Sequence, residues 1–346
     1  MAFSFFSNIS DRTRLAVFRL SVFSLLLWFP SGAYAGLASP LSVSNQSPLV
    51  QIHGLPGMGR ASLLPDGQLE SLFSVDVASH FIRQQSGPEV LLLDGESYRY
   101  ALSFAYGYGD RLEIGLELPY LLHTSGHLDS FIDAWHDVFN LPTAGRENVP
   151  DNQLLFFYDR SDRPDLALTQ SSQGLGDLRL NAAWQVQEDS GPGSTAIALH
   201  GSLKLPTGES EKLTGSGGLD VALWLSAGSQ RPVSWGRLTL LGSLGVLLLG
   251  DGDVLGGQQR SLVGFGGLGF ALQPWQRVRL QMQADFHSSF YDRSHLRGVD
   301  SASVQLATGG TLIFGKADEL ELAVVEDLSS ETAPDVAFHA AWRHRF

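Results

Sequence analysis

The chain has 346 residues, a formal net charge of −13 and no cysteine, which excludes disulfide and thiol chemistry. A chain this acidic lacks the basic surface that binds phosphate groups, so we expect no nucleic-acid partner. Its 38 glycines against 3 methionines favour many strands and tight turns over a helical bundle.

Residues 1–35 have the pattern of a secretory signal peptide. Three arginines precede an apolar run, and Ala33-Tyr34-Ala35 provides the small-x-small pattern of a cleavage site. The apolar run is shorter than the ~20 residues that a membrane-spanning helix needs. An uncleaved anchor helix is the alternative interpretation.

Residues 36–67 show no clean alternation of apolar and polar side chains and are rich in proline and glycine. The segment is long enough to enter the lumen of a barrel. We therefore expect an N-terminal plug, with a disordered periplasmic segment as the alternative.

Regular alternation begins at residue 68 and continues to the C-terminus. The stretch "LEIGLELPY" places Leu112, Ile114 and Leu116 on one face, with Glu113 and Glu117 on the other. A period of two predicts a strand with one apolar and one polar face. There are about twelve such units, each of the ~10 residues that a tilted membrane strand requires.

The connections between these units alternate in length. Short turns such as 109–111 and 315–318 alternate with long connections such as 83–97 and 121–175. Outer-membrane barrels show this pattern, with short periplasmic turns and longer outer loops. Several aromatic residues near strand ends also fit the interfacial girdles of such barrels: Tyr108, Tyr120, Trp184, Phe314, Trp342 and Phe346.

The predicted fold is therefore all-β, a single antiparallel transmembrane β-barrel of about 12 strands over residues 68–346, in the cell outer membrane. A soluble sandwich is the alternative, but it gives no reason for alternating connection lengths. The last strand ends on Phe346, which resembles the export signature of bacterial outer-membrane barrels. That resemblance implies outer-membrane lipid and lipopolysaccharide as surroundings, and the barrel-assembly machinery as a partner of the C-terminal strand.

One stretch, "HLDSFIDAWHDVFN" at residues 127–140, has the period of a helix instead. We predict an amphipathic helix in a long extracellular loop, lying across the barrel mouth as a lid, with a membrane anchor at the rim as the alternative. Its polar face could hold a cation, but a solvated face is the preferred interpretation, so no metal site is predicted. The apolar stripe of this lid consists of Leu128, Phe131, Ile132, Trp135 and Phe139.

The polar faces of the strands carry many charged side chains, which we expect in the outer half of the lumen. Mixed charge of this density can select and orient a solute, as charged rings do in pores. The alternative is a self-paired network that closes a narrow barrel. These candidates are Asp76, His80, Arg99, Glu117, Asp177, Arg179, His200, Lys204, Asp220, Asp285 and His339.

The stretch "GFGGLG" at 264–269 matches a dinucleotide-binding pattern, which needs a strand before it and a helix after it. Here the strand-like alternation continues to Leu272, so glycines that let strands pack closely are the better interpretation. No cofactor is predicted.

The stretch "DFHSSF" places His287 beside Ser288 and Ser289 and faintly resembles outer-membrane phospholipases. Nucleophilic catalysis also needs an orienting group and an oxyanion site, and no second matching motif is present. A lipid hydrolase is therefore the least favoured function, and we do not expect an enzyme.

Three stretches together, "SPLVQIHGLPGMGRASLLPDGQ", "HLDSFIDAWHDVFNLPTAGRE" and "GLGDLRLNAAW", resemble a domain-of-unknown-function family of Gram-negative envelope proteins. More loosely, "GSLKLPTGESEKLTGSGGLDVAL" resembles the phenol-degradation MetA-pathway family of outer-membrane proteins. The second resemblance implies uptake of small, often apolar compounds. We therefore expect a passive or gated channel for an unidentified small molecule, with a closed structural or surface-interaction barrel as the alternative.

Overall fold

The computed structural model describes residues 37–126, 153–160, 164–328 and 332–346. The predicted signal peptide lies outside these residues. So does the predicted lid helix at 127–140, with its apolar stripe of Leu128, Phe131, Ile132, Trp135 and Phe139. No helix in the described part of the chain is long and apolar enough to cross a bilayer.

The described residues form fifteen strands and two single 3-10 turns, at Ser210–Lys212 and Gly256–Gln258. The strands are β1 Leu69–Ser86, β2 Glu89–Tyr108, β3 Leu112–Thr124, β4 Leu155–Asp159, β5 Pro164–Leu168, β6 Ser172–Leu175, β7 Arg179–Gln187, β8 Thr195–Lys204, β9 Asp220–Val233, β10 Gly236–Leu249, β11 Leu262–Trp275, β12 Val278–His287, β13 Ser303–Phe314, β14 Asp318–Asp327 and β15 Val336–Arg345.

These strands close into an antiparallel barrel. Each wall strand pairs with the next along the chain, and β1 pairs with β15 to complete the ring. β6 and β7 both pair with β3 and together form one wall strand, interrupted at residues 176–178. The wall therefore has twelve strands, which confirms the predicted fold class, while β4 and β5 form a hairpin that extends from β2.

The first predicted long connection, 83–97, is instead a tight hairpin. β1 continues to Ser86 and β2 starts at Glu89, with Gly87 in the left-handed region (φ 60°) that glycine tolerates best. Leu91 and Leu93 point inward on this extension and are fully buried. The inward side chains of this extension pack against other loops. The two strands therefore continue through residues that the sequence analysis assigned to a loop.

The two ends of the barrel differ. One end, here the turn end, carries the short turns and Phe346, whose backbone N–H donates to Leu69 O at 2.9 Å. The other, here the loop end, carries the long connections. Apolar side chains such as Leu244 and Leu268 point outward between the two ends and are exposed by 67% and 69%, whereas the inward face is polar. This inverts the pattern of a water-soluble barrel and is the pattern of a barrel that faces lipid.

Residues 37–66, here the internal segment, lie inside the barrel. The ascending arm, 37–46, runs along β12–β15 towards the loop end, where Asn45 Nδ2 lies 2.9 Å from His287 Nε2. The tip, 47–55, turns there, and the backbone N–H of Gly54 donates to Asp220 at 2.8 Å. The descending arm, 56–66, returns along β7–β9 to the turn end, where Asp66 accepts from the backbone N–H of Gly109 at 2.7 Å.

The loop end is closed by an apolar core, here the loop-end core. It combines the tip with the extensions of β1 and β2, the β4–β5 hairpin and the connections that follow β8, β10 and β12. Fully burying each large apolar side chain contributes roughly 1.5–3 kcal/mol. The tip is therefore part of the folded core and is not a loose insertion. The tip supplies four side chains to this core: Leu49, Val50, Ile52 and Leu55.

Candidate functional site in the barrel lumen

All eleven predicted lumen residues point inward from the wall. Nine are buried, while Glu117 and Asp285 are half-buried. They do not form one ring of charge, because they divide into separate clusters at different heights and on different walls. Nine of them bond either to one another or to the internal segment, whereas His80 and Asp285 bond to the wall residues Ser97 and Gln283.

The first cluster, here the tip latch, consists of Lys204, Asp177 and Asp220. Lys204 Nζ lies 2.8 Å from Asp177 Oδ2 and 2.9 Å from Asp220 Oδ2, with its side chain only 1% exposed. The same ammonium donates to Ser216 Oγ and, at 3.2 Å, to the carbonyl of Ile52 in the tip. One buried cation therefore joins three wall strands to the internal segment.

The motif "KLPTGESEKLTGSGGLD" forms this latch. Its loop folds back over Asp177, which accepts from the backbone N–H groups of Gly208 (2.8 Å) and Ser216 (3.2 Å). A Cβ at Gly215 would collide with the Asp177 carboxylate, so glycine is required at this close approach. The motif thus supplies both the lysine and one carboxylate partner, Asp220, and positions the other.

Arg179 extends the latch along the tip. Its guanidinium donates to the carbonyl of His53 at 3.0 Å and to that of Leu55 at 3.3 Å. It also lies 3.5 Å from Glu117 Oε1. Because backbone carbonyls of the tip accept these bonds, the wall fixes the backbone of the internal segment as well as its side chains.

A second cluster crosses β15, β1, β2 and β3. Asp76 accepts from His339 Nδ1 at 2.6 Å and lies 3.7 Å from Arg99, which also pairs with Glu117. On its other ring nitrogen, His339 Nε2 lies 3.1 Å from Glu321 Oε1. Glu321 in turn accepts from both the backbone N–H and the hydroxyl of Ser42 in the ascending arm.

Ser42, His339 and Asp76 stand in the order of a nucleophile, base and orienting acid, with Ser42 Oγ 3.3 Å from His339 Nε2. Glu321 alters that chemistry, since carboxylate oxygens face both ring nitrogens of His339. Such an arrangement favours the doubly protonated ring, which has no lone pair to accept the serine proton. The cluster is therefore suited to holding the ascending arm.

A third cluster, at the turn end, was not among the sequence candidates. Arg60 of the descending arm pairs with Glu70 and lies 3.7 Å from Glu113. Glu70 is also contacted by Arg343 at 2.6 Å and Arg345 at 2.9 Å. These wall residues lie on the same inward faces as the predicted ones, but nearer the turn end than the outer half of the lumen, where the candidates were expected.

His80, His200 and Asp285 lie outside the ion-pair clusters. His80 Nε2 and His123 Nδ1 both lie 2.9 Å from Ser97 Oγ, in the wall below the loop-end core. His200 stacks on Trp224 and contacts the carbonyl of Arg60 at 2.9 Å. Asp285 accepts from Gln283 at 2.8 Å and makes no ion pair with any described residue.

Glu89, at the β1–β2 hairpin turn beyond the wall, joins three loop-end elements. It accepts from Tyr158 and Ser294 at 2.5 Å and from the backbone N–H of His295 at 2.9 Å. Burial alone would raise the pKa of Glu89, but these hydrogen bonds hold it below its usual value. The charged form of this carboxyl therefore stabilises the closed loop end.

The other motifs have structural positions. "GFGGLG" lies within β11, where a Cβ at Gly266 would meet Phe286 of the neighbouring strand. His287 contacts Asn45 and the carbonyl of Ser288, and the Ser288 hydroxyl accepts from the backbone N–H of Gly264 at 3.0 Å. Within the described ranges, no group of three or more His, Asp or Glu side chains is placed to hold a metal ion.

A cavity of about 230 Å³ remains between the internal segment and the wall strands β1–β3, β7–β9 and β15. It lies in the half of the lumen nearer the turn end. Its wall includes Arg60, Glu70, Glu117, Arg179 and Trp224, so it connects the second and third clusters. The loop-end core closes the barrel above it.

Comparison with solved structures finds an outer-membrane channel from Pseudomonas putida F1 at a TM-score of 0.56 and 13% identity, covering 84% of this chain and 100% of that one. The translocator domain of the autotransporter NalP from Neisseria meningitidis gives 0.40 and 13%, covering 82% and 90%. The Ralstonia pickettii toluene transporter TbuX gives 0.35 and 12%, covering 91% and 97%. The first similarity shows that this barrel has the fold of an outer-membrane channel.

Comparison with curated proteins finds no match. A family model described as a protein of unknown function, DUF3187, matches residues 18–346.

Proposed function

We propose that this chain, which belongs to the DUF3187 family, is a gated outer-membrane channel for small molecules, in its closed state. The turn end would face the periplasm and the loop end the cell exterior, as short and long connections do in such barrels. The internal segment is the gate.

The observation that carries this proposal is how the internal segment is held. Hydrogen bonds, ion pairs and apolar packing hold it, and no strand ladder joins its described residues to the wall. A segment bound in this way can leave the lumen while every backbone pairing of the barrel stays intact. The latch, the Glu321–Ser42 contacts and the Arg60 cluster would then be the bonds that opening must break.

The lining supports a polar solute. Charged and amide side chains line much of the inward face of the wall, whereas most large apolar side chains face outward or lie in the loop-end core. A smaller apolar cluster packs Leu41 and Val43 of the ascending arm against Val325 and several alanines of the wall. A small polar molecule is therefore a better candidate than the apolar compounds implied by the looser sequence resemblance.

A permanently closed barrel with a structural or surface-interaction role is the second candidate, and the loop-end core favours it. That core joins the tip to the outer hairpins, so opening must expose apolar surface. A lipid hydrolase has less support. Both ring nitrogens of His287 and of His339 already have partners, so neither histidine is free to act as a base for Ser288 or Ser42.

The surroundings are part of the proposal. The outward apolar band would contact outer-membrane lipid and lipopolysaccharide, and β15 with Phe346 would be recognised by the barrel-assembly machinery. The segment 127–140 would cover the outer mouth as a lid. Deletion of Phe346 should then reduce the folded, heat-modifiable form in outer-membrane fractions, and a soluble periplasmic protein would contradict the location.

Solute flux into vesicles tests the gate. A Cβ at Gly228 would lie 3.1 Å from Ala61 Cβ, slightly below the ~3.5–4.5 Å of a disulfide, and the end of the flexible Leu37 side chain would have to shift to admit it. Because the chain has no cysteine, Ala61→Cys with Gly228→Cys gives the only thiol pair. We expect vesicles containing the oxidised double-cysteine protein to stay impermeable under conditions in which the reduced protein admits solute. Vesicles containing a variant without residues 37–67 should be permanently permeable.

Each single-cysteine variant is the control for oxidation. Folding of every variant is checked by heat-modifiable gel migration. If the folded deletion variant and the reduced double-cysteine protein are no more permeable than empty vesicles, the channel proposal is wrong and the closed barrel takes its place.

A further inference from the structure

The cavity of about 230 Å³ beside the descending arm has the features of a binding site. We propose that it binds one small uncharged molecule bearing a carbonyl-type hydrogen-bond acceptor. This inference rests on the proposed channel function, since it names the class of solute that the lumen would take up.

The charges in the cavity wall cancel. Arg60, Arg179 and Arg343 are matched by Glu70, Glu113 and Glu117. Arg343 lies 2.6 Å from Glu70, and Arg179 lies 3.5 Å from Glu117. A charged solute would have to separate one of these pairs, at a cost that an uncharged solute avoids.

Two hydrogen-bond donors in the wall have no partner among the described residues. They are Trp224 Nε1 and Arg179 Nε, in side chains that are 6% and 9% exposed. Both groups can only donate, so what they lack is an acceptor. An unsatisfied buried donor is costly. Neighbouring atoms cover both nitrogens in this closed structure, and Gly59 of the descending arm lies beside Trp224 Nε1. A carbonyl oxygen that displaces the arm slightly would reach a donor and remove that cost.

The Trp224 ring is fixed in place. It stacks on His200 with ring centroids 4.9 Å apart, and Phe265 packs against it at 6.0 Å. The direction of its N–H bond is therefore fixed. A binding site selects an acceptor by position only when its donor is held in this way.

The size of the cavity limits the molecule. Ligand sites for drug-sized molecules usually measure about 300–1,000 Å³, so this one suits a smaller molecule. Small side chains such as Ser103 and Ala105 face it from β2 and leave the space open.

The test is titration calorimetry on the folded full-length chain in lipid nanodiscs. The probes are benzamide, which is neutral with a carbonyl, and the charged analogues benzoate and benzylamine. We expect saturable one-to-one binding of benzamide and at least about tenfold weaker binding of both ions. Trp224→Phe keeps an aromatic ring but removes the donor, and should weaken benzamide binding about tenfold.

Ala105→Phe, which fills the cavity from the wall, should abolish binding. Trp235→Phe, at an exposed position (66%), is the matched control and should change nothing. Absence of saturable benzamide binding would show a cavity that holds only water and would overturn the inference. Equal binding of the ions, or no effect of either cavity variant in proteins that still fold, would also overturn it.

Binding and flux are separate measurements on the same protein. Saturable binding without flux through any variant would reject the channel and leave the site standing. Flux without saturable benzamide binding would reject the site and leave the channel standing.

Discussion

The tip latch gives the sharpest prediction. Lys204→Met keeps the length of the side chain but removes its charge, leaving Asp177 and Asp220 buried without their cation. Removing one partner of a buried ion pair costs roughly 3–5 kcal/mol, because the other charge stays in a dry environment. At about 1.4 kcal/mol per factor of ten, opening of the tip should increase by roughly two to three and a half orders of magnitude.

Hydrogen exchange followed by mass spectrometry measures this opening directly. The amide of Gly54 donates to Asp220, so peptides covering the tip should lose protection by that factor while those of β10–β13 do not. Asp177→Asn with Asp220→Asn in the Lys204→Met background should restore part of the protection, because the uncompensated charges are then gone.

Lys212→Met is the matched control. Lys212 pairs with Glu209 at the exposed surface, where such a pair contributes below about 1 kcal/mol, so protection of the tip should not change. Unchanged exchange at Gly54 in a folded Lys204→Met protein would refute the latch, and so would a uniform loss of protection across the wall.

Three further predictions concern the arm, the loop end and the outer surface. A Cβ at Gly59 would lie 2.8 Å from the His200 ring, so Gly59→Val should push the descending arm off the wall and speed labelling of a cysteine placed at Ala61. The pKa of Glu89 is depressed in the folded state, so its contribution to stability is present above the usual carboxyl range and is lost as pH falls through the folded pKa. The rate of protease nicking at the loop end should therefore rise in acid. In the Glu89→Gln variant the nicking rate should not depend on this pH change. Leu244→Arg places a charge in the outward apolar band and should destabilise folding into vesicles by roughly 2–4 kcal/mol, measured by urea titration. A loss below about 1 kcal/mol would contradict a position near the middle of the bilayer.

The barrel could be predicted because each strand can be recognised from a short stretch of its own sequence. Alternation along each strand determines both the strand and its faces, and a charge pair such as Asp76 with Arg99 lies directly across one hairpin. The same alternation indicates Glu70, Glu321 and Arg343 as lumen residues. The extension of β1 and β2 past residue 83 was missed, because partners from other loops bury its inward face.

The path of the internal segment could not be predicted. Most of its contacts join residues about 120 to 300 positions apart, as Ser42 with Glu321 and Arg60 with His200 illustrate. The segment has no periodicity from which a register can be inferred. The "PTG" motif was visible, but its role depends on Ile52 and Gly54, which only the fold brings to Lys204 and Asp220.

The internal segment enters and leaves the barrel at the same end. Leu37 lies near Gly228 towards the turn end of β9, and Asp66 contacts the turn at Gly109. A hairpin with both feet on one side can slide out and back as a loop, with no chain end to thread. Its tip would travel roughly 30 Å, the length of a ten-residue strand. A tension applied at Leu37 would act first on the ascending arm, so the Ser42–Glu321 contacts would break before the descending arm moves.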